Sequence, residues 1–239
     1  MMVEIMLKLV PQTKMGFQFI KKGLELIHIL HQENNLKTFL QYFVQEEANP
    51  LDVDAYHGSG AKFSQFKQSK ARVKNDFFGG GVAYFTDSKP TAKTYAVGSA
   101  KREKSEPHIY HTSLSMKNVF DVDHKFSGEK LTSLLPNDHE SFARGAGLLP
   151  YGSDKHKVIS DLRSGKTELT GHQVFKGLSQ GKVKSDFARE HLKKKGYDGL
   201  RYNGGDNMNV GHHNVYVPYS PEAIRINKIT KLVKKVKGN

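Results

Sequence analysis

Apolar residues recur at three- and four-residue steps in the first fifty positions: Ile20, Leu24, Ile27 and Leu30, then Leu36, Phe39, Leu40 and Phe43. This spacing predicts two amphipathic helices. Asn34-Asn35 marks the turn between them, and Asn49-Pro50 ends the second. The simplest product is a helical hairpin over residues 1–50, packed on the following domain or on a partner. From Asp52 the texture changes to short apolar runs between glycine-rich turns. Residues 53–57 read as a strand broken by Gly58-Ser59-Gly60. Residues 82–86 read as a second strand, reached through Gly79-Gly80-Gly81. Residues 89–97 read as a helix whose first turn tolerates Pro90. Further strands are predicted over 109–114 and 119–122. Residues 124–196 are mixed, with several short helices. The best of these covers 183–195, where three lysines followed by Gly196 suit a helix C-terminus. Residues 199–202 and 215–219 predict strands flanking a polar loop over 203–214, and 224–233 a last strand. No internal repeat is present.

Composition narrows this picture. A chain of 239 residues has room for one large domain, or for a domain with a small appendage. Mean hydropathy is low at −0.58, yet 14 Phe and 10 Tyr are enough to build a core. The absence of cysteine excludes a disulfide framework, thiolate chemistry and Cys-ligated zinc. No apolar stretch is long enough to span a bilayer, and no membrane partner is among those expected for the function reached below. Residues 1–10 carry Glu4 and lack the basic-then-apolar layout of a signal peptide.

Net charge is +13, with 37 basic residues against 24 acidic. Residues 1–50 contain five lysines and five glutamates, so the whole excess lies in the remaining chain. Ten basic residues against three acids fall within 61–104, and eight against three within 176–201. The tail from Lys228 to Asn239 has five lysines and no acid. A solvated face accounts for much of this. The alternative is contact with something acidic: nucleic acid, an anionic membrane face, a phosphate-bearing ligand or an acidic protein.

Three short motifs stand out in order. The first is Tyr56-His57-Gly58-Ser59. The second is Gly79-Gly80-Gly81-Val82-Ala83-Tyr84-Phe85-Thr86-Asp87, followed by Ala92-Lys93-Thr94-Tyr95-Ala96. The third is Gly196-Tyr197-Asp198-Gly199-Leu200-Arg201-Tyr202, then Asn214-Val215-Tyr216-Val217-Pro218-Tyr219-Ser220-Pro221-Glu222-Ala223-Ile224. Taken alone, a strand-terminal His before Gly-Ser is usually part of a turn, and isolated tyrosines are usually core aromatics. The glycine run precedes a strand and lacks a following Lys-Ser/Thr, which disfavours a nucleotide P-loop.

As an ordered set, the motifs resemble the ADP-ribosyltransferase fold of the diphtheria-toxin and poly(ADP-ribose)-polymerase branch, in its phage and polymorphic-toxin versions. The resemblance covers roughly residues 52–226. It implies an α+β fold: a split antiparallel β-sheet core over 51–227, with the N-terminal helical hairpin and a lysine-rich tail over 228–239. It also implies NAD as co-substrate, with cleavage of the nicotinamide–ribose bond through an oxocarbenium-like state. His57 would clamp the adenosine ribose, and Gly58 would offer backbone bonds to the nicotinamide amide by permitting close approach. Ser59 would add a polar contact, and Tyr84 and Tyr95 would sandwich the nicotinamide ring. Active members place Glu before the tyrosine of the third motif, where this chain has Val215. Chain elongation is therefore not expected. Mono-ADP-ribosylation then needs a carboxylate from the acceptor, or substitution by Asn214, His213 or Asp206. A one-residue shift of the alignment would put Asn214 at the catalytic position, beside His57 and Tyr84.

The 12 histidines do not group as metal ligands. His108 and His111 point to opposite faces of a predicted strand, and His28 and His31 lack a third ligand. Asp121 and Asp123 share a face without a partner pair for two-metal chemistry. The function expected is an NAD-dependent mono-ADP-ribosyltransferase, with NAD glycohydrolysis as a variant. It would be a phage or toxin effector modifying a host protein in the host cytoplasm, or associated with the virion. Two alternatives are a catalytically weakened module that binds NAD or a polyanion such as nucleic acid, and a basic structural protein of the virion.

Overall fold

Residues 51–59 and 108–116 are long enough, and apolar enough on alternate positions, to pair along their whole length. The computed structural model describes residues 51–67, 78, 81–179, 186–205 and 211–233. The predicted hairpin over 1–50 lies outside them, as do Gly79, Gly80, residues 183–185, Asp206 and residues 234–239. In chain order the first elements are β1 (Leu51–Ser59), β2 (Phe85–Thr86), α1 (Lys89–Glu103), β3 (His108–Met116), β4 (Val119–Asp121) and β5 (Lys125–Phe126). Four short helices occupy the mixed segment: α2 (Gly128–Leu134), α3 (His139–Gly145), α4 (Lys155–Arg163) and α5 (Gly171–Leu178), with β6 (Leu169–Thr170) before the last. The chain continues through α6 (Asp186–Lys194), β7 (Gly199–Asn203), β8 (Asn214–Pro218), a 3-10 turn (Pro221–Ala223) and β9 (Ile224–Lys231).

Seven strands form one sheet in the order β4-β7-β8-β2-β1-β3-β9, while β5 and β6 pair separately. Neighbours in the large sheet are antiparallel except β4 with β7, which are parallel. The two halves are held very unequally at the middle. β1 pairs with β3 at nine consecutive positions, from Leu51 opposite Met116 to Ser59 opposite His108. Across the sheet, β2 pairs with β8 only at Phe85↔Tyr216 and Thr86↔Val215, and with β1 only at Tyr56↔Thr86. A two-residue strand thus joins β1-β3-β9 to β4-β7-β8, which gives the split sheet its narrow waist.

Strand alternation distributes the core. In β8, Val215 and Val217 join one buried cluster with Phe120, Phe142, Phe175 and Leu200, while Tyr216 joins another with Ala55, Phe85, Tyr110 and Leu114. Ser88 caps α1, its hydroxyl oxygen accepting the Thr91 N–H at 3.3 Å. The buried stripe of this helix is small throughout: Thr91, Ala92, Ala96 and Ala100. Small residues let it close tightly on β1. A Cβ placed on Gly58 would lie 1.9 Å from the Ala92 carbonyl oxygen and 2.7 Å from the Ala96 nitrogen.

Two departures from the sequence pattern are local. The strand predicted over 82–86 contracts to Phe85–Thr86, and the Tyr84 carbonyl just before it accepts the His57 Nδ1–H at 2.8 Å. The helix predicted over 89–97 runs on to Glu103, carried by good helix formers from Ala100 and by burial of Ala100 itself. The predicted end of the 183–195 helix agrees with the structure. Gly196 adopts φ +88°, and the Tyr197 N–H donates to the Leu192 carbonyl at 3.0 Å. No helix among the described residues is long and apolar enough to cross a membrane.

Candidate functional site

His57 and Gly58 are successive strand residues and therefore face opposite sides of β1. His57 faces aromatic rings, with centroids 5.2 Å from Phe66, 5.5 Å from Phe85, 5.9 Å from Tyr110 and 6.3 Å from Phe63. The loop after β1 is tied down around it. The Phe63 N–H donates to the Tyr110 phenol oxygen at 2.7 Å, and that phenol donates to the Ala61 carbonyl at 3.0 Å. Phe63 and Tyr110 stack at 4.2 Å with 13° between their planes.

The imidazole Nδ1 lies 2.8 Å from the Tyr84 carbonyl oxygen, which can only accept, so Nδ1 carries the proton. Burial pushes the His57 pKa down to about 4, keeping the ring neutral. In this tautomer Nε2 keeps its lone pair and can accept a hydroxyl proton. One hydrogen bond therefore joins the first motif to the second and defines the chemistry of the remaining nitrogen.

The side-chain face of Gly58 lies against α1. The space that a side chain would occupy is filled by the α1 turn from Ala92 to Ala96. Among the described residues, positions 57–59 have strand partners on the β3 side only. The same contact brings Tyr95, 53% exposed, to the helix turn lying on Gly58. Tyr84 is 36% exposed. The Ser59 hydroxyl oxygen accepts the Ala61 N–H at 3.0 Å, closing the local turn.

The third motif enters through β8, which pairs with β2 beside this group. Val215 is only 8% exposed and packs in the apolar cluster. Asn214 is exposed, and its amide Nδ2 donates to Asp87 Oδ2 at 2.7 Å. The Asn214 N–H donates to the other oxygen of that carboxylate at 3.0 Å, and the Asp87 N–H returns a bond to the Asn214 carbonyl at 3.3 Å. His213 is buried against Gly204, with Nδ1 2.9 Å from the Gly211 carbonyl oxygen. The remainder of the motif builds the sheet. The Asp198 carboxylate accepts the Lys117 and Asn118 N–H groups at 2.6 and 3.1 Å. Arg201 grips Asp121 Oδ2 through Nε at 3.0 Å and Nη2 at 2.7 Å, and Asp123 accepts the Asn203 N–H at 2.6 Å.

The structure thus brings His57, Gly58, Tyr84 and the Tyr95 turn into one group, and sets Asn214 at the adjoining β2–β8 junction. Phe63, Phe66 and Tyr110, which wall the imidazole, carry no motif signature in the sequence. Asp87 stood inside the second motif, but its partner is 127 residues away. Two concavities of about 520 and 530 Å³ lie elsewhere, one beside Asp52 and Asp54, the other along α4. The first meets only the far end of the third motif, at Glu222 and Ala223, and the second contains no motif residue; the aligned polar groups at the sheet waist are the better guide to chemistry. Among the described residues no three His, Asp or Glu side chains gather as a metal site.

Comparison with known proteins identifies the family. Residues 45–228 match the family model described as ADP-ribosyltransferase in polyvalent proteins. No curated protein and no solved structure matches the chain. The match spans most of the chain and includes all three motifs, so this protein belongs to the ADP-ribosyltransferase family of polyvalent proteins.

Proposed function

We propose that the protein is an NAD-dependent mono-ADP-ribosyltransferase whose acceptor is a macromolecule, a host protein first among candidates. The observation that carries this reading is the 2.8 Å bond from His57 Nδ1 to the Tyr84 carbonyl. It leaves Nε2 of a neutral ring as an acceptor suited to a ribose hydroxyl. The β1 edge at Gly58, which has no strand partner on the β2 side among the described residues, would supply backbone groups for the nicotinamide amide, and Tyr84 and Tyr95 would supply exposed rings for its flat faces.

In the reaction the N-glycosidic bond breaks and nicotinamide leaves with the bonding pair. The ribose carbon then bonds to an acceptor oxygen. A carboxylate acceptor arrives without a proton to remove, whereas a hydroxyl must lose one. Val215 can neither steady cationic sugar character nor take that proton, which favours single transfer onto an acidic acceptor over chain growth. The excess basic charge of the chain would draw in such an acceptor. On this reading the protein is a phage- or toxin-type effector acting in the host cytoplasm or carried with the virion.

Burial of Val215 in an apolar cluster favours a second reading, a catalytically weakened module that binds NAD or a polyanion. Nicotinamide release from NAD, followed chromatographically with and without host lysate, separates the two. Release supports the transferase, and saturable NAD binding without release supports the module.

A further inference from the structure

The two halves of the sheet meet through β2, whose ladder offers two register pairs to β8 and one to β1. His57 and Gly58 stand on one half, and the third motif strand on the other. So short a ladder is a weak joint for a site whose parts must keep a fixed separation. Immediately past its end, Asp87 and Asn214 add three hydrogen bonds: amide to carboxylate at 2.7 Å, N–H to carboxylate at 3.0 Å, and N–H to carbonyl at 3.3 Å. Both oxygens of the carboxylate are engaged, and both are held by the same residue. At the opposite end of the junction the Val82 N–H donates to the Pro218 carbonyl at 2.9 Å. Asp87 also precedes Ser88, the cap of α1, so the pair fixes the start of the helix that carries Tyr95.

We propose that Asp87 and Asn214 form a latch, a positioning pair that holds the third motif strand in register with the NAD-binding half. Asn214 then acts through Asp87 and does not stand in for the missing glutamate. Its amide is spent on the carboxylate, which also lies on the β2 chain that carries Tyr84. This inference rests on the transferase reading for its kinetic consequence, but the contact itself can be tested without it.

The test is a double-mutant cycle on the full chain with Asp87→Ala, Asn214→Ala, the double replacement, and the exchange of the two residues, D87N with N214D. Nicotinamide release and chemical unfolding are both measured. The latch predicts that each single replacement lowers kcat on the order of tenfold through misplacement of the strand, with the KM for NAD changed less than twofold. The double variant should be no worse than either single one, and the exchange should recover most of the loss by restoring an amide–carboxylate pair. A loss confined to Asn214→Ala, additive losses, or no recovery on exchange would overturn it in favour of a direct role for Asn214. If the wild-type chain releases no nicotinamide, the transferase reading fails instead. The latch then stands or falls on the unfolding cycle, where coupled losses support it and additive ones refute it.

Discussion

His57 is kept neutral by the rings packed around it, and that has a consequence for stability as well as binding. Its pKa is near 6.5 in the unfolded chain and about 4 in the folded one. The stability from packing a neutral imidazole is therefore complete above pH 6.5. Between these values the unfolded chain binds more protons, so stability falls as pH drops, by on the order of 3 kcal/mol at pH 4. Urea midpoints for the wild type should decline over pH 6.5 to 4, and that slope should flatten in His57→Ala. NAD binding should stay level from pH 5 to 8, because Nε2 remains an acceptor throughout. Tyr95 makes a separate case. If its face contacts nicotinamide, Tyr95→Phe should keep the KM for NAD within about twofold, while Tyr95→Ala should raise it on the order of tenfold. At this scale the sequence was informative about residue types and silent about their surroundings. The His-Gly-Ser and Tyr-Phe motifs could be picked out by eye. The rings of Phe63, Phe66 and Tyr110, which help to bury His57, are brought in by strand pairing and a loop.

The elements explain why Gly58 is glycine. The resemblance gives Gly58 a role in close approach to a ligand, and the packing adds a second requirement for glycine. The side-chain position is taken by α1, whose stripe of Ala92, Ala96 and Ala100 approaches the backbone closely. Gly58→Ala would put a methyl group 1.9 Å from a carbonyl oxygen, and α1 must shift to accept it. A loss of more than about 3 kcal/mol in denaturant unfolding is expected, together with weaker NAD binding as the Tyr95 turn moves. Wild-type stability in this variant would show that the helix does not depend on the close contact. The long strands β1 and β3 and the helix C-terminus at Gly196 were legible because alternation, propensity and turn chemistry agree there. β2 was overestimated because apolar content over 82–86 resembles a strand, although Tyr84 spends its carbonyl on His57. The short helices of 128–178 could be anticipated only in kind, since each is closed by tertiary packing of residues such as Phe142, Leu162 and Phe175.

For the whole molecule, the order of three weak motifs carried the family, and strand pairing shows why order mattered: each motif occupies a different strand around one narrow waist. What the sequence could not display is how the third motif is attached, because the Asp87–Asn214 contact joins residues 127 apart. The excess of basic residues outside positions 1–50 makes a prediction at this scale. Labelling of an acidic acceptor should fall steeply between 50 and 300 mM salt, roughly as surface charges are screened, whereas nicotinamide release from NAD alone should change little. Products should carry one ADP-ribose per modified site, read by mass spectrometry, and longer chains would show that Val215 does not limit the reaction. The most direct measurement incubates the purified wild-type chain and His57→Ala with NAD labelled in its adenylate portion and with host lysate. The account predicts label on discrete macromolecules and matching nicotinamide release with the wild type, both lost in His57→Ala. Absence of both label transfer and nicotinamide release with folded wild-type protein would contradict it.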